Sequence, residues 1–139
     1  MARTIATQWE ALGIHVRTRI VSSESLAGAL SARQFDAALL STPPGGIPID
    51  PDFYPLWHSS QAEGDGNNFT SYKSEVADRL LVEARHTLDT DTRRALYYEF
   101  QTILARDLPA LPLYHPIYNY AVSTHVKDVQ IGPLYQPSD

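Results

Sequence analysis

Ile5, Ala6, Trp9 and Leu12 recur at helical spacing, and Gly13 follows where a left-handed residue closes a helix. Ile14, Val16, Thr18 and Ile20 then alternate with His15, Arg17, Arg19 and Val21, the period-two pattern of a strand with one face buried and its arginines in water. Ser22 and Ser23 offer hydroxyls to the free amides of a second helix, whose apolar face carries Leu26, Ala29 and Leu30. Phe35-Asp36-Ala37-Ala38-Leu39-Leu40 is a mostly unbroken apolar run, the mark of a strand covered on both faces, as in parallel sheets under helices. The predicted order is α-β-α-β.

From Ser41 to Pro55 the chain holds five prolines and two glycines, which predicts a long ordered loop because proline gives no amide to a ladder or helix interior. The loop leaves the carboxyl end of the second predicted strand, where open α/β sheets bind ligands. One helical turn is expected within Asp52 to His58, then a polar loop from Ser59 to Ser71. Ser74 is placed to cap a helix with Val76, Ala77, Leu80, Leu81, Ala84 and Leu88 along one stripe. Asp89-Thr90-Asp91 interrupts it, and a second helix presents Leu96, Phe100, Ile103 and Leu104, so the two form an αα-hairpin. Leu111 to His115 and Ile117 to Ser123 read as two extended segments, limited by proline to edges or strand starts. The polar tail from Lys127 to Asp139 reads as irregular. No internal repeat is present.

The 139 residues are 43% hydrophobic and 19% charged, the makeup of a folded domain with a core of its own. Eleven basic against sixteen acidic side chains leave a net charge of −5, which disfavours gripping nucleic acid. The absence of cysteine excludes disulfides, thiolate zinc sites and cysteine nucleophiles. No apolar run approaches the ~20 residues needed to cross a bilayer, and the first residues lack the apolar core of a secretory signal. Because the amphipathic pattern starts at once at Ile5, the chain is expected to be a fragment of a longer fold.

Histidines stand at 15, 58, 86, 115 and 125, and no two have the i,i+4 spacing of a helical metal site. Asp50, Asp52 and His58 lie close enough in sequence to hold a metal, although capping or structural roles weigh more heavily for such a grouping. No Gly-x-Ser-x-Gly elbow, phosphate-cradling loop or Gly-x-Gly-x-x-Gly turn occurs, and no cofactor is expected. Glu63 and Asp65, beside Asp50, are the one loop grouping of acids suited to acid/base work, with solvated loop acids the weightier reading. Phe53, Tyr54, Trp57 and Phe69 suit stacking on a ligand and pinning a loop equally well. Asn68-Phe69-Thr70 fits the N-glycosylation pattern, read as incidental.

Taken in order, several pieces resemble one family, the family 5 extracellular solute-binding proteins that feed peptides, nickel chelates and other solutes to ABC importers. Ile5 to Val16 resembles that family's helix ending at a Gly-Ile/Val pair and entering a strand, and Phe35 to Leu39 its aromatic-Asp-Ala strand. Asp50-Pro51, Phe53, Trp57-His58-Ser59, Asn67-Asn68 and Tyr72 are similar to its Asp-Pro loop, Trp-His-Ser turn and Asn-to-Tyr stretch. Val76 to Arg85, Asp89 to Tyr97, Phe100 to Leu104 and Leu108 to Tyr114 are similar to its paired helices and the Pro-containing strand after them. Each match is weak alone, and their joint order along most of the chain is specific.

The resemblance implies a periplasmic-binding-protein-like fold of two lobes, of which this chain is part of the C-terminal lobe: an α/β mixed sheet flanked by helices, with the long αα-hairpin. Residues 1–125 would form the lobe fragment and 126–139 would return toward the missing N-terminal lobe. It further implies a protein that is no enzyme and holds no metal or cofactor. Such a protein is periplasmic or extracellular, in some members lipid-anchored, and its partners are a small solute and an ABC permease rather than nucleic acid. Solute is captured by closure of the lobes. Ser41, Thr42, Gly45, Gly46, Ile47 and Asp50 are the candidate ligand-binding residues. In the peptide-binding branch an acid shortly before the Asp-Pro pair meets the peptide's amino group, yet Pro43 to Ile49 contains none, which argues against a standard free-amine peptide. Two other classes stand beside this one: a small metal-dependent hydrolase built on Asp50, Asp52 and His58, and a stand-alone interaction domain using Tyr114, Tyr118, Tyr120 and Tyr135.

Overall fold

In the computed structural model of the protein, residues 1–40, 52–114, 121–123 and 125–129 are described. They hold α1 (Ala2–Glu10), α2 (Ser23–Ser31), α3 (Tyr54–Trp57), a 3-10 turn (Ser59–Gln61), α4 (Glu75–His86) and α5 (Thr90–Asp107). The chain divides into two units, Met1–Ser41 and Thr42–Asp139.

In the first unit, α1 ends as its glycine predicts. Gly13 sits at φ +83°, its N–H donates to the Glu10 carbonyl at 2.9 Å, and the Ile14 N–H reaches back to the Trp9 carbonyl at 3.0 Å. This is the paired hydrogen bonding of a Schellman cap, and it requires a residue at home in the left-handed region. The Ser22 hydroxyl caps α2 by accepting from the Ser25 N–H at 3.2 Å. The same closing motif ends α2 around Arg33, at φ +54°, with the Gln34 N–H donating to the Ala29 carbonyl at 2.9 Å. A non-glycine residue in that conformation costs roughly 1–2 kcal/mol.

The second unit is built on the predicted αα-hairpin. The Ser74 hydroxyl accepts from the Ala77 N–H to start α4, and Asp89 accepts from the Thr92 N–H at 2.8 Å to start α5. Ala77, Leu80, Leu81 and Phe100 form the buried core. Phe53, Tyr54, Trp57, Tyr72, Leu96, Tyr97, Ile103 and Leu104 pack around it. Leu88 does not join this stripe: Thr87 leaves the helical conformation at φ −87°, ψ 117°, and Leu88 is 93% exposed. At its far end α5 closes on Leu108, at φ +50°, whose N–H donates to the Leu104 carbonyl at 2.9 Å.

The mixed sheet is not supported. Among the described residues no strand forms, neither in 14–21, nor in 35–40, nor in 111–114. Ile20 is 91% exposed, and Leu39, Leu40, Leu111 and Leu113 are exposed as well. The physical reason is that a helix satisfies its amides within itself, whereas a strand needs a neighbour at 4.7–4.9 Å to take up its N–H and C=O groups. Alternating polarity shows that a segment suits a sheet without supplying the partner. Residues 126–129 carry neither helix nor strand, and 117–120 and 130–139 lie outside the described residues.

Candidate functional site

Ser41, Thr42, Gly45, Gly46, Ile47 and Asp50 all lie outside the described residues. The residues that follow them are fastened to the hairpin at successive positions. Asp52 accepts from the Tyr54 N–H through Oδ1 at 3.1 Å, an Asx turn that starts α3, and from Arg85 Nη2 through Oδ2 at 2.7 Å. Phe53 meets Tyr97 edge-on at 5.3 Å between ring centroids and lies nearly parallel to Phe100 at 6.2 Å. The Tyr54 ring stacks on His58 at 4.1 Å and lies 4.4 Å from the Arg85 guanidinium carbon. Phe53, Tyr54 and Trp57 therefore spend their rings on pinning this stretch to the core.

The Trp57-His58-Ser59 turn is held from two sides. His58 Nδ1 accepts from the Ser60 N–H at 3.0 Å, which caps the 3-10 turn and puts the ring proton on Nε2, 4.0 Å from Asp78 Oδ1. The Ser60 hydroxyl lies 2.9 Å from the same Nδ1 and 3.2 Å from the Tyr54 hydroxyl. Asp78, on α4, takes the Ser59 N–H at 2.8 Å on Oδ1 and the Ser59 hydroxyl on Oδ2. From the other side comes Asn68, whose side chain is wholly buried. Its amide nitrogen donates to the carbonyls of Tyr72 (2.8 Å), His58 (3.3 Å) and Trp57 (3.4 Å). Its amide oxygen accepts from the Tyr72 N–H at 3.1 Å and the Thr70 hydroxyl at 3.2 Å. One side chain thus closes the polar loop from 58 to 72 without leaving an unpaired amide group.

Tyr72 continues the chain of contacts, its hydroxyl donating to Asp107 Oδ2 at 2.8 Å at the end of α5. Burial raises the Tyr72 phenol, and the Asp107 carboxyl is lowered first by its hydrogen bond from Arg106 and then by Tyr72.

Asp52 and His58, two of the proposed hydrolase ligands, are committed to different partners: Arg85 holds the first, and the second faces Asp78 and Ser60. Among the described residues no three of His, Asp and Glu come together in a way that would hold a metal ion. Glu63 is bound by Lys73 at 2.7 Å and Asp65 is exposed, while Asp50 lies outside the described residues. Tyr114 is exposed, and Tyr118, Tyr120 and Tyr135 lie outside the described residues. Asn68 and Asp78, the residues that organise this region, are absent from the sequence-level candidates. Asn68 stands in the Asn-to-Tyr stretch, a pattern that shows its presence and not its burial, and Asp78 looks like any acid on a helix's polar face.

Comparison with known proteins supplies the class. Over almost its whole length the chain is similar to bacterial peptide-binding proteins, which bears out the resemblance to a family 5 solute-binding protein, as a part of one. It is 27% identical over 135 residues to the oligopeptide-binding protein AppA of Bacillus subtilis, and 30% identical over 136 residues to di/tripeptide-binding protein 3 of Pseudomonas aeruginosa. Each match covers 96% of this chain and about a quarter of the relative, 24% and 25%. The solved structure of AppA from Bacillus subtilis in complex with a nonapeptide superposes with a TM-score of 0.65 at 31% identity, covering 78% of this chain and 21% of that one. No family model matches the chain.

Proposed function

We propose that this chain is part of the C-terminal lobe of the substrate-binding component of an ABC importer, a non-enzymatic protein of the periplasm or cell exterior. It captures a peptide-like solute between two lobes and hands it to a membrane permease. Residues 1–125 belong to the lobe, and 126–139 run toward the N-terminal lobe. The observation that carries this reading is the match to AppA, whose solved structure holds a nonapeptide.

Ser41, Thr42, Gly45, Gly46, Ile47 and Asp50 supply the ligand contacts in this reading. The segment offers hydroxyls, backbone groups and the apolar surface of Ile47. With no acid from Pro43 to Ile49, it lacks a carboxylate for a free amino terminus ahead of Asp50. The solute is therefore a peptide whose amino end is met elsewhere or is blocked. A ligand that binds only the folded state raises stability by about 2.7 kcal/mol at a hundredfold excess over Kd. A thermal-shift screen of the full-length protein against pools of free and N-acetylated di-, tri- and nonapeptides is expected to give a clear rise in Tm with at least one pool, larger for acetylated peptides. No shift with any pool, or catalytic turnover of a peptide, defeats the reading.

A further inference from the structure

His15, His86 and His125 are exposed, whereas the His58 side chain keeps only 16% of its surface in water and puts a lone pair to structural use. Its Nδ1 accepts the Ser60 main-chain N–H at 3.0 Å, which caps the 3-10 turn Ser59–Gln61. A nitrogen that accepts carries no proton, so the ring is neutral, with its hydrogen on Nε2. Each element packed against the ring brings a defined group. From α3 the Tyr54 ring stacks on it at 4.1 Å. From α4 come Asp78, with Oδ1 4.0 Å from Nε2, and Arg85, which lies over the Tyr54 ring and is itself met by Asp52 at 2.7 Å. The Ser60 hydroxyl stands 2.9 Å from Nδ1, and from the loop beyond, the neutral Asn68 amide holds the His58 carbonyl. Asp78 is thus the acid that faces the ring, and its Oδ1 also holds the Ser59 N–H at 2.8 Å.

A proton taken up from water has one place to go, which is Nδ1. The Ser60 N–H would then face another donor, and its bond to the ring is lost, while the Ser60 hydroxyl is close enough to turn and accept from Nδ1. The charged ring is drawn toward Asp78, where it competes with Ser59 for the same oxygen. We propose that His58 is a proton-operated catch. Neutral, it caps the turn through Ser60; protonated, it releases Ser60, pairs with Asp78, and loosens the turn where it is fastened to α4. Imidazole is the side chain that ordinarily changes charge between about pH 5 and 8. The Asn68 contacts on the other side of the turn contain no titrating group, so they stay closed while the catch opens. The exchange trades a main-chain bond for an ion pair, and so moves the turn without unfolding the chain. This inference stands apart from the identity of the solute.

The test uses the full-length protein and amide hydrogen exchange, corrected for the intrinsic effect of pH, at about pH 7.5 and about pH 5. Protection at Ser60 is expected to fall about fivefold or more in acid, the scale of a lost cap, while the Tyr72 amide held by Asn68 keeps its protection. His58→Asn offers an oxygen near the place of Nδ1 and does not titrate, so its Ser60 protection is expected to be the same at both pH values. NMR of wild type carrying labelled histidine gives a second reading that needs no variant: the Nε2–H tautomer at about pH 7.5 and the doubly protonated ring at about pH 5. A His58 ring with its proton on Nδ1 at the higher pH, or one that stays neutral at the lower, overturns the proposal. So does an acid loss of protection that is equal in wild type and His58→Asn, or that spreads equally to Tyr72.

Discussion

Residues 14–40 and residues 54–107 both carry hydrophobic patterns that predict regular elements, and they end in different states. In the first stretch Leu30 is the buried large hydrophobic, while Ile14, Ile20, Val21, Leu39 and Leu40 face outward. In the second, Ala62, Ala77, Leu80, Leu81, Ala84 and Phe100 are buried and a polar loop is closed around Asn68. The difference lies in where the backbone finds its partners. The helical hairpin carries its hydrogen bonds within each helix and needs only one apolar face to meet another. An extended segment has all its N–H and C=O groups pointing sideways, and its apolar residues gain little until a neighbour arrives.

The largest test of this contrast is a pair of truncations. Phe100→Ala removes a fully buried ring against which Phe53 rests, and is expected to cost about 3–5 kcal/mol in chemical denaturation. Ile20→Ala in the same chain is expected to stay within about 0.5 kcal/mol, as for an exposed surface site. A comparable loss at Ile20 would show that 14–21 is already packed. Next comes Asn68→Ala, which strands the carbonyls it serves and the Tyr72 N–H, and is expected to cost about 2–3 kcal/mol. Amide exchange is expected to speed up from 58 to 72 while the middle of α5 keeps its protection; equal loss in both would mean that the loop and hairpin open as one unit.

The smallest effect concerns the entry to α5. Asp89 is lowered from its ordinary value first by the Thr92 hydroxyl and then by the Thr92 N–H, both donating to its carboxylate. A carboxyl depressed in the folded state stabilises it above the ordinary carboxylate range, and that contribution fades as pH falls through the folded value. Asp89→Asn keeps an acceptor for the amide and loses the titration, so its melting temperature is expected to fall less steeply than wild type in the acid range. Parallel acid limbs would remove Asp89 from the account.

Which features were legible in the sequence follows from the same contrast. Ser22, Ser74 and Asp89 announced their helices because a cap acts within three residues of itself, and Gly13 marked an end for the same reason. Leu88 misled because it continues the periodicity of α4 past the point where Thr87 turns the backbone away. The sheet finds no support among the described residues because alternation reports suitability for pairing and not the pair. The Arg85 contact with Asp52 spans 33 positions, and the Ser59 contacts with Asp78 span 19. No local pattern encodes such separations, so the fixing of Asp52 and of the Trp-His-Ser turn emerged only from the folded chain. The candidate ligand residues rest on the resemblance and on their place beyond the second predicted strand.

The burial of Asn68 also bears on how the protein can be made. Its amide sits inside the folded chain with every donor in use, and it heads an Asn-x-Thr acceptor triplet. A eukaryotic secretory host that attaches carbohydrate to the emerging polypeptide at this triplet installs a bulky sugar where the native packing has no room, and so blocks maturation. Bacterial expression, where that enzyme is missing, avoids the conflict.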